Sequence, residues 1–474
     1  MPPANKYVYV ISDLHLGGEA EPGKRGFRIC TQEAQLAKFI ASITIDVEGA
    51  VELVVNGDAI DFLAERSPAA PHNWKPFHFP EEHAVQLLDR IAARSAGVFE
   101  SLKVFLRKGH RLVILPGNHD IELNLPKVRS RLRQHVGANG PADYEFIPHG
   151  EAYRVGDVLI EHGNRIDDMN FVDQNALRTF CGLLSRGDPK EKDFRFDPPA
   201  GSKLVAELIN DIKKDYSFID LLKPEKEAAI PIILALEPGR RGDLLRIASA
   251  LDEGNTRRSQ QINTYRTNIA AHPSALPKTT HAHSPHNALE ESLLRTVKRA
   301  DFGVHEPADR KNISAIGKLQ SFAALLFGNR DKSWDQRLMD LLDALRAFQS
   351  EDAFDWTIET DKIYEKEARR LAYGPIRHVV FGHTHLAKKI DLGDGRYYFN
   401  SGTWADLLPL PSAILDPTRE YAPLAELEQL MKNLISQEYG EYAMFHPTYV
   451  HFVQDERGNS ISHNLSGYPV EPPS

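Results

Sequence analysis

Cysteine is nearly missing from this chain: Cys30 and Cys181 are the only two in 474 residues. That is too few for a disulfide framework and points to a reducing compartment. Positive charge is also short. The 57 Lys and Arg against 66 Asp and Glu leave a net charge of −9, the wrong sign for a nonspecific binder of nucleic acid or of an anionic membrane. No segment approaches the ~18 uninterrupted apolar residues of a membrane span. The opening "MPPANKYVYVISD" lacks the basic region, apolar stretch and small-residue cleavage site of a secretory leader. A cytoplasmic protein with no membrane span is expected. No repeat of fixed period is found either. What remains, 42% hydrophobic and 26% charged residues, is the profile of an ordinary globular protein, long enough for two to three domains or one elaborated domain.

Short β-branched runs repeatedly stop at clusters of Gly, Asp, Asn or His: "YVYVISD", "VELVVNGD", "HRLVILPGNHD", "DVLIEHGN", "RHVVFGHTH" and "YYFNSGTW". Each reads as a buried strand, too short for most helices and ended by turn residues. Helical spacing of apolar residues recurs between them, over Gln32 to Ile43, Glu81 to Leu106 and Asp361 to Tyr373. Strands alternating with helices predict an α/β fold with parallel pairing. Such sheets collect ligands at the carboxyl ends of their strands, where these polar clusters sit.

From Arg165 to about Asp355 the rhythm changes to amphipathic helices: Leu204 to Leu222, Leu244 to Leu251, Leu289 to Arg299, Ile316 to Leu326 and Gln336 to Phe348. This stretch reads as a helical insertion holding a Pro/Ser/His-rich loop, Ala271 to Asn287. The expected division is residues 1–165 as the first part of a core, 166–355 as the insertion, and 356–474 as the second part of the core. The insertion leaves the sheet just after His162, so it is expected to cap the strand ends. A helix near Leu424 to Ser436 and strands over Tyr442 to Val453 and Ser460 to Leu465 complete the chain.

The residues ending the strands include Asp13, His15, Asp58, Asn118, His119, His162, His383 and His385. Carboxylate, imidazole and amide oxygen form a donor set without thiolate, suited to Mn, Fe, Zn or Ni. On an extended segment, residues separated by one share a side, so "DLH" and "HTH" can each aim two ligands into one space. One cation cannot use them all. Two cations about 3.5–4 Å apart, bridged by a carboxylate, can, and such pairs serve displacement at phosphate esters.

These motifs resemble the calcineurin-like metallophosphoesterases. That family's ordered signature is D-x-H, G-D-x-x-D, G-N-H-D/E, a lone H, then G-H-x-H. Here it stands as "DLH" at 13, "GDAID" at 57, "GNHD" at 117, "EHG" at 161 and "GHTH" at 382. The resemblance covers about residues 5 to 165 and 375 to 405. It implies a calcineurin-like αββα sandwich of two mixed β-sheets flanked by helices, here with a large α-helical insertion. It further implies Asp13, His15 and His385 on one metal, Asn118, His162 and His383 on the other, and Asp58 bridging both. His119 then meets the phosphate and stabilises or protonates the leaving oxygen, with Asp61 orienting its ring. A metal-bound hydroxide attacks phosphorus in line, without a covalent intermediate.

The departures narrow this. Ser/Thr protein phosphatases read "GDxxDRG", whereas this chain reads "GDAIDFL", with Phe62 where their phosphate-binding arginine stands. Bacterial UDP-2,3-diacylglucosamine diphosphatases share the "SDLHLG" opening at Ser12 to Gly17, yet usually carry arginine at the place of His119 and have a shorter insertion. The substrate expected is a phosphorylated small molecule or nucleotide-like compound, cleaved at a phosphodiester or pyrophosphate bond. Alternatives are a phosphomonoesterase, a nuclease, and a metal-binding scaffold without turnover; the intact His119 argues against the last.

Other features have plainer readings. Asp61 can cap the helix that follows it, and "NSGT" at Asn400 to Thr403 is either a polar turn beside the site or a contact to the phosphate or to the ligands. The loop Arg66 to Phe79, with His72, Trp74 and His78, follows Asp58, and Trp74 is expected to pack against the insertion. His281, His283 and His286 read as an exposed loop rather than a further metal site, and "GRRGDLLR" at Gly239 as a solvated turn.

Overall fold

Along the strand Lys6–Ile11, Val8 and Val10 face one core while Tyr9 and Ile11 face another. That alternation is what a strand covered on both faces requires. The computed structural model describes residues 5–20, 25–45, 49–188, 190, 196–223, 225–240, 333–348, 351–416 and 422–470. Lys6–Ile11 sits inside a six-stranded sheet ordered Ser460–Gly467, Thr448–Gln454, Lys6–Ile11, Ala50–Asn56, Arg111–Leu115, Tyr144–Phe146. A five-stranded sheet runs Lys388–Gly393, Arg396–Asn400, His378–Phe381, Val158–Ile160, Tyr153–Val155. The central strands of each sheet pair in parallel; antiparallel strands join at one edge of the larger sheet and at both edges of the smaller, so both sheets are mixed.

The sheets pack face to face through Val8, Val10, Val54, Val113 and Val450 of one and Val158, Ile160, Val380 and Phe399 of the other. Helices Glu33–Ile45, Glu81–Arg94, Ala96–Arg107 and Pro126–Val136 cover the outer face of the larger sheet through Leu36, Phe39, Leu87, Ile91, Phe99 and Val128. Helix Lys362–Leu371, capped by the Asp361 carboxylate on the Ile363 N–H, covers the smaller sheet through Tyr364 and Ala368. The result is the expected αββα sandwich. One helix anticipated over Glu81 to Leu106 is two, because Ser95 turns the chain at φ −96°, ψ 30°; the bend lets the apolar faces of both halves reach one core.

The described insertion residues form a second apolar cluster. Leu208, Phe218, Leu222, Ile232, Leu341 and Leu345 pack there with Leu408, Ile414, Leu427, Leu430 and Met431, so the C-terminal helix Ala422–Ile435 joins the insertion's cluster. Leu204 to Leu222 is not one helix. It runs as Ala200–Leu204, a wider π turn over Val205–Ile209, Asn210–Lys213, and a short strand, Leu222–Lys223, paired in parallel with Leu408–Pro409. The π turn precedes Asn210, whose buried amide donates to the Leu63 carbonyl at 2.8 Å, two residues beyond Asp61. Trp74 packs on Phe27 in a cluster with Ala206 of the insertion, the packing role expected of it. The helices expected over Leu244 to Leu251, Leu289 to Arg299 and Ile316 to Leu326, the loop holding His281, His283 and His286, and most of the patch after Gly239 lie outside the described residues. Among the described residues no helix is long and apolar enough to cross a membrane.

Candidate metal centre

Four parallel strands, Lys6–Ile11, Ala50–Asn56, Val158–Ile160 and His378–Phe381, deliver polar loops to one edge of the sandwich. Backbone bonds lock those loops together beyond the strand ends. Asp13 donates to the Gly57 carbonyl at 3.1 Å, His15 to Asp58 at 2.9 Å, and Gly382 to His162 at 2.9 Å. The loops do not stay extended. Asp13, His15, Asp58, His383 and His385 all have positive φ, between 46° and 70°, a region costly for residues with a Cβ and concentrated at functional sites. The alternation argument for "DLH" and "HTH" is therefore corrected: each pair converges through left-handed turns fixed by the neighbouring loop.

Three glycines make room for the polar groups. A Cβ on Gly57 would lie 2.2 Å from His162 Nδ1, one on Gly117 would lie 2.2 Å from Asp58 Oδ1, and one on Gly382 would lie 2.7 Å from Asp13 Oδ2. These are the glycines of the second, third and fifth motifs.

Three acid and imidazole groups result, each compact enough to hold a metal ion: Asp13 with His15 and His385, Asp58 with His162 and His383, and His15 with Asp61 and His119. In the first, the Nε2 atoms of His15 and His385 are 3.0 Å apart, and His385 Nε2 is 3.4 Å from Asp13 Oδ1. In the second, Asp58 Oδ2 is 3.1 Å from His162 Nε2. Asp58 Oδ2 also lies 3.9 Å from His15 Nε2, so Asp58 stands between the first two groups. In the third, Asp61 Oδ1 is 3.1 Å from His119 Nδ1 and its Oδ2 is 3.5 Å from His15 Nδ1. Asp61 also accepts from the Ala64 N–H at 3.2 Å, so capping and contact with His119 coexist.

The donor chemistry fits divalent cations. Asn118 Oδ1 is buried without a hydrogen-bond partner, a costly state for a polar atom that a cation would relieve. The charges fit as well. Burial opposes ionisation of Asp58, but the His162, His119 and His15 imidazoles outweigh it and hold the carboxyl well below its ordinary value. Burial likewise opposes charge on His162, yet Asp58 and Asp13 raise it to about 9. Asp13 is pushed up by burial, partly offset by His162. His385 is held well below its ordinary value by burial and then by the charge of Lys223. A cation held here by Asp58 and His162 would compete with the proton on His162 and would supply the positive charge in its place.

Every predicted site residue lies at this edge. His119 is the accessible one, its side chain 23% exposed against 1% for Asp58, and its backbone N–H donates to Asp58 Oδ1 at 2.8 Å. "NSGT" is a brace: the Asn400 amide donates to the Gly382 carbonyl at 2.8 Å, and the Thr403 hydroxyl to the Asp13 carbonyl at 2.8 Å. Two carboxylates were missed. Asp120 accepts from Gly117 N–H at 2.6 Å and Ala59 N–H at 2.8 Å, tying the third motif to the second. Asp167 Oδ2 lies 3.3 Å from His383 Nε2. Asp120 had a signal in the last letter of "GNHD"; Asp167 had none, since it follows the fourth motif in an irregular turn.

No curated protein matches the chain. Residues 6–220 match the family model described as calcineurin-like phosphoesterase; the fifth motif lies beyond that stretch but folds onto it. Relatives of this kind use divalent metal ions on phosphate esters. With the fold, the clustered carboxylates and imidazoles and this match, the chain is recognised as carrying a calcineurin-like phosphoesterase domain, that of a metal-dependent hydrolase acting on phosphoric esters.

Proposed function

We propose that the chain is a two-metal phosphohydrolase that cleaves a phosphodiester or pyrophosphate bond of a phosphorylated small molecule by direct attack of water on phosphorus. The observation that carries this reading is Asp58, one buried carboxylate standing between the Asp13, His15, His385 group and the His162, His383 group. We assign Asp13, His15 and His385 to one ion, Asn118, His162 and His383 to the other, and Asp58 to both. Two cations held by these residues would lower the pKa of a bound water and supply positive charge to the phosphoryl oxygens.

The remaining roles fall to the chain's own groups. His119, partly exposed and within hydrogen-bond distance of Asp61 through Nδ1, is the group we assign to protonate the leaving oxygen. A cavity of about 220 Å³ beside His162 is lined by Leu115, Phe171, Val172, Gln174 and Asn175. Glu151, Glu161 and Arg165 line it too; the two carboxylates disfavour another phosphate, and Arg165 is taken up by Glu161 at 2.6 Å and Glu367 at 2.7 Å, so the cavity suits the organic part of a substrate. That supports a small-molecule ester over a nucleic acid. The two buried, unbridged cysteines support a reducing, cytoplasmic setting.

The test is a screen of bis-p-nitrophenyl phosphate, p-nitrophenyl phosphate, dinucleotides and nucleic acids with apoprotein reloaded with Mn, Ni, Zn or Mg. Hydrolysis of the diester or of dinucleotides supports the proposal. Turnover of the monoester alone makes the chain a phosphomonoesterase, turnover of nucleic acid alone a nuclease, and metal uptake without turnover a scaffold.

A further inference from the structure

Two imidazoles of the Asp58 group have one ring nitrogen tied to the protein. His162 Nδ1 lies 2.8 Å from the Asn56 carbonyl, which leaves Nε2 facing Asp58. His383 has the opposite arrangement, with Nε2 lying 3.3 Å from Asp167 Oδ2. A neutral imidazole has a single N–H, and the acceptor that takes it decides which nitrogen keeps its lone pair for a metal.

Asp167 is itself held in place. Its Oδ1 accepts from the Met169 N–H at 2.9 Å and its Oδ2 from the Asn170 amide at 2.9 Å. The same turn, at the start of the insertion, rests on a later part of it: Gly201 of the helix Ala200–Leu204 donates its N–H to the Met169 carbonyl at 2.8 Å. A Cβ on Gly201 would lie 2.3 Å from Asn170 Oδ1, so contact there leaves no slack.

We propose that Asp167 is a positioning residue that takes the Nε2–H of His383 and thereby presents Nδ1 to the second metal ion, and that the insertion sets this carboxylate through the turn 167–170. The inference rests on the two-ion reading given above. It gives the insertion a part in metal binding that does not depend on its touching substrate.

The experiment is calorimetric titration of the full-length apoprotein with Mn²⁺, with metal content read by mass spectrometry, for wild type, Asp167→Ala, Asp167→Asn and Gly201→Ala. Asp167→Ala is expected to weaken one of two ions by about 10- to 100-fold, the usual effect of losing a partner behind a ligand, while the other is unchanged. Asp167→Asn keeps an acceptor oxygen and should restore binding to within a few-fold; Gly201→Ala should weaken the same ion. Equal loss of both ions, wild-type affinity in Asp167→Ala, or Asp167→Asn as impaired as Asp167→Ala overturns the inference. Wild type taking one ion overturns the two-ion reading and this inference with it. Nitrogen NMR of the wild-type apoprotein needs no variant: His383 protonated on Nε2 is expected, and protonation on Nδ1 alone overturns the assignment.

Discussion

The Nε2 atoms of His15 and His385 lie 3.0 Å apart across 370 positions of sequence. Two ring nitrogens at that distance with Asp13 beside them share either one proton or one cation. Backbone bonds hold them there: Asp13 accepts from the His383 N–H at 3.0 Å on Oδ2 and from the Trp404 N–H on its carbonyl. The first and fifth motifs are thus one structural unit, and the predictions below follow from how it is built.

Removing the accessible imidazole should stop turnover without removing metal. His119→Ala is expected to lower kcat by about 10²- to 10⁴-fold, the range of general acid catalysis, with two ions still bound. Full activity on bis-p-nitrophenyl phosphate would refute the role of His119.

Gly117→Ala tests the packing of the centre. The added methyl would lie 2.2 Å from Asp58 Oδ1 and 2.7 Å from the Asp58 backbone nitrogen, so the carboxylate must move. Metal affinity should fall at both ions together, since Asp58 faces both groups. Titration with Mn²⁺ checks this, and unchanged affinity would show that the loop yields.

Chelation should soften the protein as well as silence it. The buried oxygen Asn118 Oδ1 has no hydrogen-bond partner, and a ligand bound only by the folded state stabilises it by about 2.7 kcal/mol at 100 times its Kd. The melting temperature should fall on treatment with a chelator and recover with Mn²⁺ but not with Na⁺.

Glu122 should give stability a pH dependence of its own. Burial raises its carboxyl from 4.5 to about 8, despite the hydrogen bond it accepts from the His78 N–H at 2.7 Å. The folded chain then holds a proton that the unfolded chain releases, so this contribution is complete below the ordinary value of 4.5 and lost as pH rises through about 8. Glu122→Gln keeps the acceptor and removes the titration. Its stability relative to wild type should rise between those pH values, by at most about 1.4 kcal/mol per pH unit. Parallel denaturation curves across that range would count against the shift.

Leu430 belongs to the C-terminal helix yet is fully buried in the cluster shared with the insertion. Leu430→Ala should cost about 2–5 kcal/mol by creating a cavity. Denaturant unfolding measures it; a cost below 1 kcal/mol would mean that this cluster adds little to the fold.

The sequence alone determined the strands that end in Asp13, Asp58, Asn118, His162 and His383, because β-branched runs and the turn residues after them act locally. It also determined the class of chemistry, since the donor types are spelled out at those strand ends. Only the tertiary structure decided how the donors meet. The positive φ of Asp13, His15, Asp58, His383 and His385 arises from bonds between loops distant in sequence, and no local pattern records it. The same holds for Asp167 behind His383, 216 residues away, and for the C-terminal helix packed with the insertion: both depend on contacts distant in sequence, whereas periodicity reports only which face of an element is apolar and not what covers it.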